Sequence, residues 1–166
     1  MVWSIITSLI FATLISGCAA IGPVSSPDFP LMVAKAIPKT DGEIHFYGSG
    51  NWYPNTRGFT AVRSSLLARP AAPIPGVLVI TSEALIFQQW DEKSKSFDVV
   101  KRLPFSELAT VSLDTYGPLN RRIVLRKRDL SYETFDFTQA IGNYIDAAKI
   151  EEGYAFLHDR IKSPDG

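Results

Sequence analysis

The sequence predicts a mainly β domain, a small antiparallel barrel or bent sandwich of about seven strands capped by one C-terminal α-helix. Three observations predict it. From Asp41 to Phe137, short runs rich in β-branched and aromatic residues recur between turn residues, the pattern of strands that pair with their neighbours in sequence. After Phe137 the apolar period changes from 2 to 3.6, through Ile141, Tyr144, Ile145, Ala148, Phe156, Leu157 and Ile161, which traces one face of a helix. Hairpin-linked strands followed by a single amphipathic helix leave that helix to bury its apolar face on the sheet.

Glu43 to Tyr47 alternates and ends at Gly48-Ser49-Gly50, with an aromatic loop, Asn51-Trp52-Tyr53-Pro54-Asn55, behind it. Phe59 to Leu67 reads as a second strand, and Arg69 to Gly76, with three prolines, as a stiff connector. Val77 to Thr81 and Ala84 to Trp90 form a tight hairpin around Ser82-Glu83. Asp91 to Ser96 has the polarity of a solvated hairpin tip, and Phe97 to Leu103 runs on to Pro104, a strand end or an edge. Ala109 to Thr115 alternates as a half-buried strand does. Arg121 to Arg128 and Tyr132 to Phe137 make the last hairpin, turning at Asp129-Leu130-Ser131. Thr138 is the expected helix cap, Gly153 a weak point in the helix, and Ser163-Pro164-Asp165-Gly166 its stop.

Ahead of the domain, residues 1–17 carry no charged side chain. Ile5, Ile6, Leu9, Ile10, Phe11, Leu14 and Ile15 form an apolar run shorter than the roughly 20 residues of a spanning helix. Its exit through Ser16-Gly17 suits a cleaved signal better than a permanent span. Cys18 is the sole cysteine, so no disulfide forms within the chain. Ala19 to Thr40, with Pro23, Pro27, Pro30 and Pro38, reads as a semi-extended tether able to hold a domain tens of ångströms from a bilayer. Leu31-Met32-Val33-Ala34 interrupts it and has the composition to dock on the domain. The division is therefore 1–17 signal, 18–40 tether, 41–162 domain.

Removing seventeen residues leaves 149 of the 166, enough for one domain with its own core. Basic and acidic residues balance at 17 each. A neutral chain lacks the cationic surplus that supplies most nucleic-acid affinity, so nucleic acid is not an expected partner.

Arg121-Arg122 and Arg126-Lys127-Arg128 are the densest charge cluster. On a strand, Ile123 and Leu125 point inward while Arg122, Arg126 and Arg128 share the outer face. Guanidiniums so arranged either fork onto phosphate or carboxylate or pair across strands with Asp136, Glu133 and Asp129. Trp52 and Tyr53 either form an exposed aromatic patch for a membrane or peptide or fold back over the barrel mouth as core. Catalysis has little support. His45 and His158 lie 113 positions apart without ligand spacing, and Gly48-Ser49-Gly50 is not a nucleophile elbow. Neither a phosphate-cradling glycine motif nor a metal-ligand motif is present, so no enzyme activity, metal or cofactor is expected.

Ile15-Ser16-Gly17-Cys18 resembles the bacterial lipoprotein signal. The resemblance implies that Cys18 is acylated and becomes the mature N-terminus, holding the protein at the envelope membrane and facing the periplasm. Ala19 in the next position implies outer-membrane sorting. Pro75-Gly76-Val77-Leu78-Val79-Ile80-Thr81, Ala84-Leu85-Ile86-Phe87 and Leu103-Pro104-Phe105-Ser106-Glu107-Leu108-Ala109-Thr110-Val111 resemble the pleckstrin-homology-like domain in its GRAM or bacterial branch. That fold implies a platform for lipids, peptides or protein partners. Fold alone does not choose among them. A binding module for an envelope protein or anionic lipid is the expected function, with a structural subunit of an envelope complex as the alternative.

Overall fold

The computed structural model describes residues 21–58, 72–116, 120–139 and 144–161. Cys18 and the strand expected at Phe59 to Leu67 lie outside the described residues. Seven antiparallel strands follow in order: β1 (Ile44–Tyr53), β2 (Ile74–Thr81), β3 (Ala84–Asp91), β4 (Ser96–Pro104), β5 (Leu108–Tyr116), β6 (Asn120–Lys127) and β7 (Tyr132–Phe137). They form one unclosed sheet in the order β4-β3-β2-β1-β7-β6-β5. Two helices join it, α1 (Phe29–Lys35) and the C-terminal α2 (Ala147–Arg160). The expected fold class holds: mainly β, seven strands, one helix closing the chain.

One face of all seven strands turns onto a single core, and period 2 selects its members. Leu78 and Ile80 of β2, Leu85 and Phe87 of β3, and Ile123 and Leu125 of β6 meet Phe135 and Phe137 of β7. Ile150, Leu157 and Ile161 from the C-terminal helix region close that core. Helix α2 starts later than Thr138: Asp146 is the cap, its carboxylate accepting from Lys149 N at 3.1 Å. Thr138 instead bridges to Ile145 as sheet. Gly153, expected as a weak point, is buried where the helix packs on the sheet. A Cβ there would stand 3.2 Å from both Ile80 and Phe137, so a bare α-carbon lets α2 seat.

The first strand is longer than its alternation suggests. It runs through Gly48-Ser49-Gly50 to Tyr53, because β1 is squeezed between β2 and β7. A Cβ on Gly50 would lie 2.3 Å from the Asp136 carbonyl oxygen; here glycine extends a strand instead of ending it. The stiff connector likewise ends early, and Ile74, Pro75 and Gly76 already pair with β1.

The Pro-containing segment is no free tether over its described part. Phe29 and Val33 of α1 are buried against Val77, Val79, Ile86 and Phe97 on the outer face of β2–β4. Phe29 packs edge-on to Phe97, ring centroids 5.8 Å apart. The buried Gln88 side chain donates to the Val33 carbonyl at 3.3 Å. Asp41, fully buried, pairs with Arg102 of β4 through both carboxylate oxygens. Gly22 abuts Trp90 and Phe97, so docking begins four residues after Cys18.

Candidate functional site

The outer face of β1, β7, β6 and β5 is polar where the outer face of β2–β4 is apolar. Antiparallel register sorts its side chains into transverse rows. In one row Asp114 of β5 stands opposite Arg122 of β6, and Asp136 of β7 opposite Asn51 of β1. Arg122 Nε is 3.7 Å from Asp136 Oδ2, and its guanidinium lies 3.8 Å over the Tyr53 ring. Asn51 Nδ2 donates to Asp136 Oδ1 at 2.9 Å, and the Tyr53 hydroxyl to Oδ2 at 2.8 Å.

Burial pushes the Asp136 carboxyl above the ordinary carboxylate range, against the hydrogen bonds from Tyr53 and Asn51 that pull it down. Burial, then the Asp136 charge and hydrogen bond, likewise raise the Tyr53 hydroxyl, which stays a donor. This row is a closed network: each charge in it has an opposite charge or a donor beside it.

One row on, Thr134 Oγ1 accepts from Gly58 N at 2.9 Å and donates to the Thr56 carbonyl. These bonds fold the chain after β1 back over the face, and that carries Arg57 to it. The next row contains no acid. Arg126 has Thr110 opposite it on β5 and Tyr132 opposite it on β7. The Arg57 guanidinium stands 5.2 Å from the centroid of the Tyr132 ring. Arg57, Arg126, Tyr132 and Thr110 line one part of a cleft of about 320 Å³, with Ser112 and Asp114 also lining it. The buried Nε of Arg126, like that of Arg122, makes no hydrogen bond among the described residues, and no carboxylate stands beside Arg126 in its row.

Of the residues singled out from sequence, Arg122 and Arg126 do share the outer face, and the fold gives them different surroundings. Arg128 lies beyond the strand; its Nε donates to the Ser106 carbonyl at 2.9 Å. Glu133 pairs with none of the arginines, because period 2 turns it to the inner face, where Lys101 Nζ lies 2.7 Å away. Trp52 and Tyr53 form no common patch: both belong to β1, not a loop, and point to opposite faces. Trp52 packs against Phe87 and stacks on Phe135, and its Nε1 donates to Glu133 at 2.8 Å. Arg57 carries no signal in the sequence, since no strand or helix period places it.

The histidines are apart. His45 bonds Ser82 Oγ at 3.0 Å and lies against Phe156, while His158 contacts Tyr154. Among the described residues no group of three or more His, Cys, Asp or Glu could hold a metal ion, and no helix is long and apolar enough to cross a membrane.

No family model matches the chain, and no curated protein matches it. Among solved structures it is similar to the hSac2 domain from human phosphoinositide phosphatase Sac2, with a TM-score of 0.45 and 13% identity over 96% of this chain and 83% of that one.

Proposed function

We propose that this protein is a bacterial envelope lipoprotein, held through acylated Cys18 and facing the periplasm, with the outer membrane as its favoured site. Its domain is a non-enzymatic binding module of the pleckstrin-homology-like kind. Seven antiparallel strands followed by one helix agree with what that resemblance implies. The observation that carries the binding reading is the cleft on the outer face, where Arg126 and Arg57 stand with hydroxyl-bearing neighbours. Cationic groups that face a concavity with no carboxylate opposite them in their row are what recognition uses.

The docked N-terminal segment supports close tethering. From Cys18 to Gly22 the chain spans at most about 14 Å, so an acyl anchor would hold the β3–β4 hairpin close to the lipid surface. High local concentration then lets a modest surface act without further contacts.

The test is a pull-down of the full-length acylated protein from detergent-solubilised envelopes, with mass spectrometry of the bait. An acylated N-terminal Cys18 is expected, with a protein or lipid whose recovery falls at least about tenfold with Arg126→Gln, the loss of one charge-assisted contact. Intact Met1 in the membrane fraction overturns the anchor. Recovery indifferent to Arg126→Gln overturns the cleft. The alternative, a structural subunit, is favoured by edge strand β4, which exposes Val99 and Val100. A stoichiometric partner lost with Val100→Lys but kept with Arg126→Gln would establish it.

A further inference from the structure

We infer that the cleft takes a phosphoryl group, gripped between Arg126 and Arg57, and that the arginine next along β6 on the same face, Arg122, takes no part. The inference rests on the binding reading above and names its ligand chemistry.

The rows of the sheet carry it. Arg122 is flanked by Asp114 and Asp136 and capped by the Tyr53 ring, so its charge is already answered. Arg126, four positions on, has the same face but a different row. Its register partners are Thr110 and Tyr132, which offer hydroxyls and no negative charge. Its buried Nε, like that of Arg122, makes no hydrogen bond among the described residues; what sets Arg126 apart is that its row holds no carboxylate to answer the charge. A guanidinium donor without an acceptor in a partly buried place costs free energy until an anion supplies one.

Arg57 adds the second cation, held at the Tyr132 ring by the fold-back of residues 54–58 onto Thr134. Two forked guanidiniums and two hydroxyls suit a tetrahedral oxyanion, whose several oxygens can be shared among them; a carboxylate has only two. Asp114 also lines the cleft; it stands opposite Arg122 in register, and its carboxylate lies against Gly58, beside Arg57. Its charge repels an anion from that side, so the phosphoryl group sits toward Arg126 and is reached there by the Arg57 side chain. Phosphate monoesters in solution and monoester headgroups at a lipid surface present the same group.

The experiment uses the full-length protein in phosphatidylcholine nanodiscs, titrated with inorganic phosphate and followed by phosphorus NMR line broadening. Saturable binding in the millimolar range is expected, as befits one small ion. Arg126→Gln and Arg57→Gln should each weaken it at least about tenfold, since each removes a charge-assisted pair. Arg128→Gln should leave it unchanged. Arg57 is exposed on a loop, so its variant keeps the test sound if Arg126→Gln fails to fold. Adding phosphatidic acid to the nanodiscs separates the sources: competition with phosphate assigns the headgroup, and indifference assigns the soluble ion.

Wild-type protein that binds no phosphate, or a folded Arg57→Gln that binds like wild type, overturns the inference. A pulled-down partner that still depends on Arg126 would then leave the binding reading standing. Loss of both results sinks both.

Discussion

The two halves of the sheet treat their outer faces in opposite ways. Over β2–β4 the outward residues are Val77, Val79, Ile86 and Phe97, and the chain covers them with its own N-terminal segment through Phe29 and Val33. Over β5–β7 the outward residues are Arg122, Arg126, Thr134 and Asp136, and a few residues after β1 fold back on them, leaving a cleft. An apolar face left bare would be an association hazard, and covering it is the cheap solution. A polar face tolerates water, so it can keep an opening. One outer face holds the N-terminal segment; the other keeps an open cleft.

The comparison breaks most visibly at Phe29. Its ring lies among Tyr47 and Phe97 and is 8% exposed. Phe29→Ala should cost about 3 kcal/mol, the low end for a buried aromatic. Hydrogen exchange should show where the loss falls: amides of residues 29–41 exchange faster, while those of β6 and β7 keep their order of protection. Uniform acceleration over both halves would mean the segment is integral to one cooperative core, and the contrast between faces would lose its meaning.

A smaller effect tests the polar half. Tyr53→Phe keeps the ring under the Arg122 guanidinium and removes the hydroxyl that donates to Asp136. A net hydrogen bond to a charged group in a buried place suggests a loss of about 1.5 kcal/mol by urea denaturation. Phosphate binding at Arg126 should hold, because Tyr53 lies in other rows. Loss of both together would show that the rows are one network and that Arg122 and Arg126 cannot be separated.

Much of this fold is legible in the amino-acid sequence. A strand with clean alternation, Ala109 to Thr115, could be placed from period 2, the hairpin strands Ala84 to Trp90 and Tyr132 to Phe137 from their composition and turns, and the shared face of Arg122 and Arg126 from period 2 again. What failed to show were positions set by contacts across the sheet. Gly48 and Gly50 look like a strand's end until Lys149 and Phe137 are seen against the first and the Asp136 carbonyl against the second. Trp52 and Tyr53, adjacent in sequence, part company only because they sit on one strand. The prolines before Asp41 suggest an extended leash, yet Phe29 and Val33 are apolar enough to dock between them. Which arginine keeps its charge unanswered depends on register, since Asp114 and Asp136 lie 8 and 14 positions from Arg122 in sequence. Arg57 reaches the cleft by a fold-back held at Glu133 and Thr134 of β7, and no local pattern announces that.

The smallest expected effect is a pH dependence confined to the polar face. Burial raises the folded-state pKa of Asp136 above its ordinary 3.8, so the folded protein binds the proton more tightly than the unfolded chain does. Below 3.8 the carboxyl is neutral in both states and its contribution to stability is complete. As pH rises through the higher folded value, the native state must hold a buried anion and that contribution is lost. Asp136→Asn keeps one oxygen acceptor, for Tyr53 or for Asn51 but not both, a loss that is the same at every pH, and it does not titrate. The stability of wild type minus that of Asp136→Asn should therefore be larger near pH 3 than near pH 7, by urea denaturation at both. The exposed Asp91, Glu92 and Asp129, held below the ordinary range by their own hydrogen bonds, lose stability as pH falls, but identically in both proteins, so the difference cancels them. A difference that instead grows with pH would mean that Arg122 and the two donors outweigh burial at Asp136. The polar face would then be built for its charges, and the empty row at Arg126 would be the exception within it.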